Sequence, residues 1–462
     1  MDKKAMVQYL ADRADEFYRV GDALWDNPEI RFTEEKSSRI LADAIEREGF
    51  TTVWGLAGIS TAFRSSWGSG SPVIGILAEF DALPGLSQAA GVAEKQALKE
   101  GGNGHGCGHN LLGTGALIAA VGVKAYLQQN NLAGTVVFLG CPAEEGGGGK
   151  TFMAREGCFD DLDFAMTWHP GCANGVPPGS FLANCMVRYS FTGKASHAAA
   201  SPELGRSALD ALELMNTGIQ YLREHIPSTA RVHYAITDTG GISPNIVQAH
   251  AAGLYQVRAP FTPTVIEIYE RLNRIAQGAA MMTDTEVKIE FLKATSNTVP
   301  NTELDWVMYR NLLEIAAPGN NSSDQALAEA IVRTQLPEAK RPAQPLDASV
   351  AEYHPSDASI PASTDVGDVS WVCPVSQIGT ATWPAGTAAH SWQAVACGKS
   401  DFAHKATLYA GQVIAASAID VYSDPETLAK AWAELRRRTN NEPYKCPIPK
   451  EIDPNYVKEQ MT

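Results

Sequence analysis

Four short apolar runs each stop at a residue able to bind a metal or move a proton, and this pattern narrows the possible folds more than any other feature of the chain. Val73–Ala78 runs into Glu79-Phe80-Asp81, and Thr135–Gly140 into Cys141-Pro142-Ala143-Glu144-Glu145. Phe164–Trp168 runs into His169, and Ile378–Thr382 into a loop carrying His390. Runs this short, bounded by Gly, Pro or charge, read as buried strands. Helical spacing precedes them over residues 5–25 (Met6, Leu10, Phe17, Val20, Leu24) and 36–49, and recurs between several of them. The alternation predicts an α/β domain with a largely parallel sheet. In open sheets of that kind ligands bind at the carboxyl ends of the strands, so polar groups there carry more weight than polar groups elsewhere.

The middle of the chain follows another pattern. Strand (Met186–Thr192), helix (Ser207–Ile226), two strands (Val232–Thr237, Leu254–Ala259), helix (Val265–Met281) and strand (Glu286–Leu292) form a compact α+β unit. It is large enough to be a domain and interrupts the α/β pattern, which resumes after it. The expected organisation is therefore a catalytic domain over 1–183, an inserted smaller α+β domain over 184–296, and the rest of the catalytic domain over 297–462. The Pro-rich stretch Leu336–Pro361 reads as a surface excursion, and the charged tail after Pro425 as peripheral.

The net charge of −15 argues against nucleic acid or an anionic membrane as partner, since both call for a basic face. The most apolar stretch, Leu111–Val123, is cut off by Lys124, short of the ~18–20 residues of a membrane span. The charged N-terminus has no signal-peptide core, and the 8 Cys are scattered without a CxxC pair. These features lead to the expectation of a cytoplasmic protein.

A further polar element is the loop Gly101-Gly102-Asn103-Gly104-His105-Gly106-Cys107-Gly108-His109-Asn110, which opens onto an apolar helix. Cys107 and His109, two apart in a Gly-rich turn, can converge on one ion. With His169, His390 and the adjacent Glu144 and Glu145 they supply more ligands than one closed zinc site takes. The set suits two ions about 3.5–4 Å apart that share a water. The two glutamates suggest a division of labour, one binding metal and the other accepting the water proton.

The run LAEFDALPG, the loop GHGCGHN, the turn CPAEEGGGG, the triplet WHP and the late TAAHS resemble the M20 metallopeptidase family, and within it the cysteine-containing amidohydrolase branch. The likeness covers nearly the whole chain, with the motifs in family order. It implies Cys107, His109, Glu145, His169 and His390 as metal ligands, Glu144 as general acid/base and Asp81 as the acid that orients a ligand. It implies that the inserted domain is a lid or dimerisation domain, in which Gly193-Lys194-Ala195-Ser196-His197 matches the motif whose His reaches a partner subunit's site. His197 would stabilise the oxyanion, and Asn245 and Arg258 would grip a substrate carboxylate. The implied reaction is hydrolysis of an N-acyl amino acid, with an aromatic acyl-glutamate or acyl-aspartate such as p-aminobenzoyl-glutamate as the favoured substrate. Two divalent ions are implied, manganese by resemblance, with zinc as the alternative that a thiolate favours. The implied assembly is a homodimer or a heteromer with a related subunit. The chain departs from the pattern at Asn110, where relatives carry Asp, and at Glu79, where other branches keep a ligand His.

Other readings compete. Cys107 and His109 could form a nucleophile–base pair, but that leaves Glu144, Glu145, His169 and His390 unexplained. A regulatory, non-catalytic subunit would be expected to have lost a ligand, and every ligand type is present. Gly149-Lys150-Thr151 imitates the end of a phosphate loop, yet the first glycine of that motif would fall at Glu144, which repels phosphate. Asp238-Thr239-Gly240 echoes an aspartic-protease triplet without a second copy. His225, His233, His250, His354 and His404 are assigned no role, His105 supports the metal loop, and Trp168 and Trp383 belong either to an acyl pocket or to the core.

Overall fold

The computed structural model describes residues 1–461 and divides the chain into two units. The first consists of Met1–Gly179, Val299–Ala358 and Val369–Tyr444. The second consists of Ser180–Thr298, Ser359–Asp368 and the segment from Lys445 onward. Relative to the expected boundaries at 184 and 296, the inserted stretch is slightly longer, and two distant segments join it. Backbone pairing brings the first of them in: Ser359–Ile360 runs parallel to Ser180–Phe181, and the Asp368 carboxylate accepts from the Ser296 N–H. The C-terminal segment is tied by Arg188, whose guanidinium donates to the Gln460 carbonyl at 2.7 Å.

The sheet of the first unit has the order Thr51–Trp54, Phe63–Ser69, Gly134–Gly140, Val73–Ala78, Phe164–Gly171, Val375–Ala381. The last four are mutually parallel, and the first two form an antiparallel edge. All four runs singled out in the sequence are thus neighbours in one parallel block, with their carboxyl ends on one side. The edge pair has no continuous apolar run; its strands are half-buried and carry polar residues, which hides them from a hydrophobicity pattern.

The helix His109–Gln129 crosses this unit and is buried along most of its length, with Leu111, Leu117, Ile118 and Val121 in the core. Its 21 residues satisfy the length and composition of a membrane span, but 89% of its most apolar window is covered by protein. Gly115 lets it approach the sheet, since a Cβ there would run into the Trp168 indole. Trp168 is fully buried and donates to the Leu112 carbonyl at 3.0 Å, so it belongs to the core. The helix expected over 5–25 is two, Lys3–Asp12 and Ala14–Trp25, broken at Arg13. The guanidinium of Arg13 is tied to Tyr9, Glu16 and Glu48 at that break. The tail is less peripheral than its charge implies: Ala431, Glu434 and Leu435 of the helix Pro425–Arg438 are buried.

A buried carboxylate helps pin the Pro-rich excursion. Tyr353 Oη and Ser376 Oγ both donate to Asp305, at 2.8 and 2.6 Å. Burial pushes the Asp305 carboxyl up to about 7, against the pull of these two hydroxyls. The folded state therefore holds a proton that the unfolded state releases near pH ~4, and stability falls as pH rises through that window, by on the order of 4 kcal/mol. Asp305→Asn keeps an acceptor and cannot ionise. Urea midpoints measured between pH 5 and 8 should fall less steeply in this variant than in wild type. Parallel slopes would mean that Asp305 is already ionised at pH 5.

The second unit has a four-stranded antiparallel sheet in the order Glu286–Thr295, Ala183–Thr192, His250–Ala259, Arg231–Asp238. The helices Ala208–Arg223 and Thr262–Thr283 contribute Leu212, Met215, Ile268 and Leu272 to its core. The edge strand Arg231–Asp238 leaves Tyr234 and Ile236 exposed, and Ile242 in the following loop is 99% exposed.

Candidate metal centre

The carboxyl ends of the parallel strands deliver their side chains to one place. Cys107, His109 and His169 form one group in which each residue offers a ligand atom and all these atoms lie within 4.8 Å of one another. Cys107, Glu145 and His390 form a second such group, and Glu79, His109 and Glu144 a third. Cys107 is shared by the first two groups, and His109 by the first and third. All these residues belong to the first unit.

Local backbone geometry makes the convergence possible. Gly108 has φ +75 at the start of the long helix, where a side chain would also press on Pro170. At Gly106 a Cβ would crowd the backbone of His390, whose N–H donates to the Gly106 carbonyl at 2.8 Å. His390 itself takes φ +59, and Ala143, just before the glutamate pair, takes φ +60. Left-handed backbone at non-glycine residues is costly and collects at functional sites.

Hydrogen bonds set which ring nitrogen each histidine presents. His109 Nδ1 is 2.9 Å from Asp81 Oδ1 and His169 Nδ1 is 2.7 Å from the Pro170 carbonyl, which leaves both Nε2 atoms as ligand atoms. Asp81 Oδ2 accepts from the Glu145 N–H at 2.7 Å, so one carboxylate orients two members of the cluster. Cys107 Sγ lies 3.4 Å from His169 Nε2. His390 Nε2 lies 3.0 Å from Glu145 Oε1, and His109 Nε2 lies 3.3 Å from Glu79 Oε2. Yet Glu145 Oε1, Glu79 Oε2 and His109 Nε2 are buried without a hydrogen-bond partner. Buried carboxylate and imidazole atoms grouped this closely suit a cation. The residues fit the metal centre that the motifs imply.

The electrostatics point the same way. Burial, and then the Glu145 carboxylate, push the Cys107 thiol well above its ordinary range. Burial opposes charge on His109, but the Asp81 carboxylate prevails and raises it well above the imidazole range. Burial would also raise Glu145; the His390 and His109 imidazoles outweigh it and bring the carboxyl down to about 2. A thiol held protonated is a poor nucleophile, which disfavours the cysteine-hydrolase reading. A divalent cation, by contrast, displaces such protons and takes thiolate and neutral imidazole as ligands.

His197, Asn245 and Arg258 belong to the second unit. His197 and Asn245 are brought together there, with the Ala198 N–H donating to the Asn245 carbonyl and His197 bridged to Ile246. His197 Nδ1 accepts from the Ala199 and Ala200 N–H groups at 3.2 and 3.0 Å, so its proton sits on Nε2. The Arg258 guanidinium donates to Ser363 Oγ at 3.1 Å.

Sequence reasoning missed Glu34. It is fully buried, with Oε1 accepting from the Ala143 N–H at 2.9 Å and Oε2 accepting from Thr61 Oγ1 at 3.1 Å. It thus holds the left-handed turn that aims Glu144 and Glu145. Its surroundings in sequence, Thr33-Glu34-Glu35-Lys36, read as a solvated helix start and carry no signal of this role. Asn110 receives an explanation: its Nδ2 donates to the Gly398 and Gly21 carbonyls, which a carboxylate could not do. His105 is buried with Nε2 3.1 Å from the Leu24 carbonyl and supports the loop from behind. Asp238 closes a turn by accepting from the Gly240 N–H, and so is no part of an acid dyad.

Residues 75–404 match the sequence profile of Peptidase family M20/M25/M40. Over 460 residues the chain is 46% identical to a p-aminobenzoyl-glutamate hydrolase subunit of Escherichia coli (strain K12), covering 95% of this chain and 96% of that protein. It is 32% identical over 317 residues to the Xaa-Arg dipeptidase of Mus musculus, covering 65% of this chain and 69% of that one. The crystal structure of a dinuclear metal-binding peptidase of the M20 family from Bacillus subtilis superposes with a TM-score of 0.55, over 91% of this chain and 99% of that chain. At 18% identity that likeness is one of fold.

Proposed function

We propose a function from the premise that this chain belongs to peptidase family M20/M25/M40: it is a metal-dependent amidohydrolase that cleaves the amide bond of an N-acyl amino acid. The observation that carries the reading is the overlap of two ligand groups at Cys107, with buried atoms of Glu145 and His109 left without hydrogen-bond partners. Cys107, His109, His169, Glu145 and His390 would hold two divalent cations, manganese first and zinc as the alternative. Such cations supply Lewis acidity, which acidifies water and polarises an amide carbonyl.

The chain's own residues do the rest. Glu144 takes the proton of the attacking water on its carboxylate and returns it to the leaving amine nitrogen. Asp81 keeps the His109 proton on Nδ1 and so keeps Nε2 open. His197, protonated on Nε2, is suited to donate to a carbonyl oxygen as it gains charge. Asn245 and Arg258 are suited to a substrate carboxylate, Arg258 by its planar guanidinium. The substrate we favour is p-aminobenzoyl-glutamate, supported by the name of the Escherichia coli relative and its 46% identity over nearly the full length of both chains. That relative is named as one subunit of a hydrolase, and the exposed apolar edge of the second unit at Tyr234, Ile236 and Ile242 supports assembly with a related subunit through that unit.

The test is chelation followed by add-back. Purified protein should carry about two ions per chain. It should lose hydrolysis of p-aminobenzoyl-glutamate on stripping and regain it with Mn²⁺, with Zn²⁺ less effective. Full activity in metal-free protein, or no metal bound at all, would overturn the proposal. Metal without activity would move the assay to other N-acyl amino acids and to mixtures with a related subunit.

A further inference from the structure

Two buried charged residues beside the metal centre have no place in the mechanism above. Lys150, on the helix Gly149–Arg155, is 0% exposed, and its Nζ lies 2.6 Å from Oε1 of Glu79, itself 2% exposed. An ammonium wholly inside a protein is rare, and a buried ion pair is weak evidence of a stabilising role. The pair is better explained by what it does to the carboxylate. One Glu79 oxygen is taken by Lys150. The other, Oε2, is 3.3 Å from His109 Nε2, and neither of those two atoms has a hydrogen-bond partner. His109 Nδ1 is already committed to Asp81, so Nε2 is the atom that points at Glu79. Glu144 brings a carboxylate oxygen within 4.8 Å of both. Two carboxylates crowd around the His109 ring inside the protein, and Lys150 sets a positive charge against the Glu79 oxygen that faces away from the ring.

We propose that Glu79, anchored by Lys150, is a further ligand of the cation that His109 holds. Lys150 is then a positioning residue: it fixes one carboxylate oxygen and thereby aims the other, while cancelling one of the two negative charges that face each other. The Gly149-Lys150-Thr151 sequence, which imitates a phosphate loop, serves a carboxylate here. The inference rests on the metal-hydrolase reading, and the test separates the two.

The experiment titrates chelator-stripped full-length protein with Mn²⁺, and separately with Zn²⁺, by calorimetry. The proteins are wild type, Glu79→Gln, Lys150→Met and the double variant Glu79→Gln/Lys150→Met, with folding followed by circular dichroism. Wild type should bind two ions. Glu79→Gln should keep one at wild-type affinity and weaken the other by tenfold or more. Lys150→Met should reproduce that selective loss, and the double variant should be no weaker than either single one, because both act through one carboxylate. If a single variant fails to fold, the double variant, which removes both charges together, decides. Two ions bound with wild-type affinity by Glu79→Gln or by the double variant would overturn this proposal and leave the metal-hydrolase reading standing. Wild-type protein that binds neither metal would overturn both.

Discussion

Replacing Glu144 by glutamine is expected to lower kcat by about 10²–10⁴-fold, the usual worth of a positioned proton carrier, while the protein keeps its metal. The two adjacent glutamates differ in surroundings. Glu145 lies 3.0 Å from His390 and within ligand range of Cys107, and its carboxyl is brought down to about 2, which makes it a weak base. Glu144 is buried, on a turn held by the Glu34–Ala143 hydrogen bond, and offers a carboxylate oxygen within 4.8 Å of ligand atoms of Glu79 and His109. Glutamine keeps the size and one acceptor but cannot carry the proton. The decisive measurement pairs kcat with metal content. A large fall in kcat with two ions retained assigns Glu144 to proton transfer. A parallel loss of metal would make it a ligand instead, and an unchanged kcat would remove it from the mechanism.

Asp81→Asn should weaken metal binding by about 10–100-fold, as loss of a hydrogen-bond partner behind a ligand histidine does. Asp81 accepts twice, at 2.9 Å from His109 Nδ1 and at 2.7 Å from the Glu145 N–H. An asparagine can satisfy one of these and must turn its NH₂ toward the other. Turned toward Glu145, the NH₂ sets donor against donor and loosens the turn. Turned toward His109, it donates to Nδ1 and so places the ring proton on Nε2, the ligand atom. Calorimetric titration of stripped protein with Mn²⁺ checks this. The same titration should show wild-type affinity rising with pH: the Cys107 thiol and the His109 imidazolium are both raised, so their protons must leave when metal binds. Equal affinities in Asp81→Asn and wild type would show that His109 is oriented by packing alone.

Much of the centre is legible in the sequence because its signals are local. An apolar run that ends abruptly in Glu, Cys or His marks a strand and its carboxyl end together. Cys107 and His109, two apart among glycines, announce a turn that can bring both to one point. Other parts leave no such signal. Glu34 sits in a charged run that reads as solvent-facing, and Lys150 in an imitation of another motif; both are wholly buried. The edge strands Thr51–Trp54 and Phe63–Ser69 escape a hydrophobicity pattern because a half-covered edge needs no apolar run.

By itself the sequence determined the parallel block and the residue types offered at its carboxyl ends, since periodicity and residue type are properties of a few neighbouring positions. The tertiary structure alone decided which ring nitrogen His109 presents to the cluster, that Glu145 faces His390, and that the buried Glu34 and Lys150 reach Ala143 and Glu79. Each of these depends on a partner tens of residues away in the chain, whereas His169 is oriented by the carbonyl of the next residue, Pro170. A charge can be buried only where the fold brings its counter-charge or hydrogen-bond donor to meet it, and no local pattern encodes that meeting.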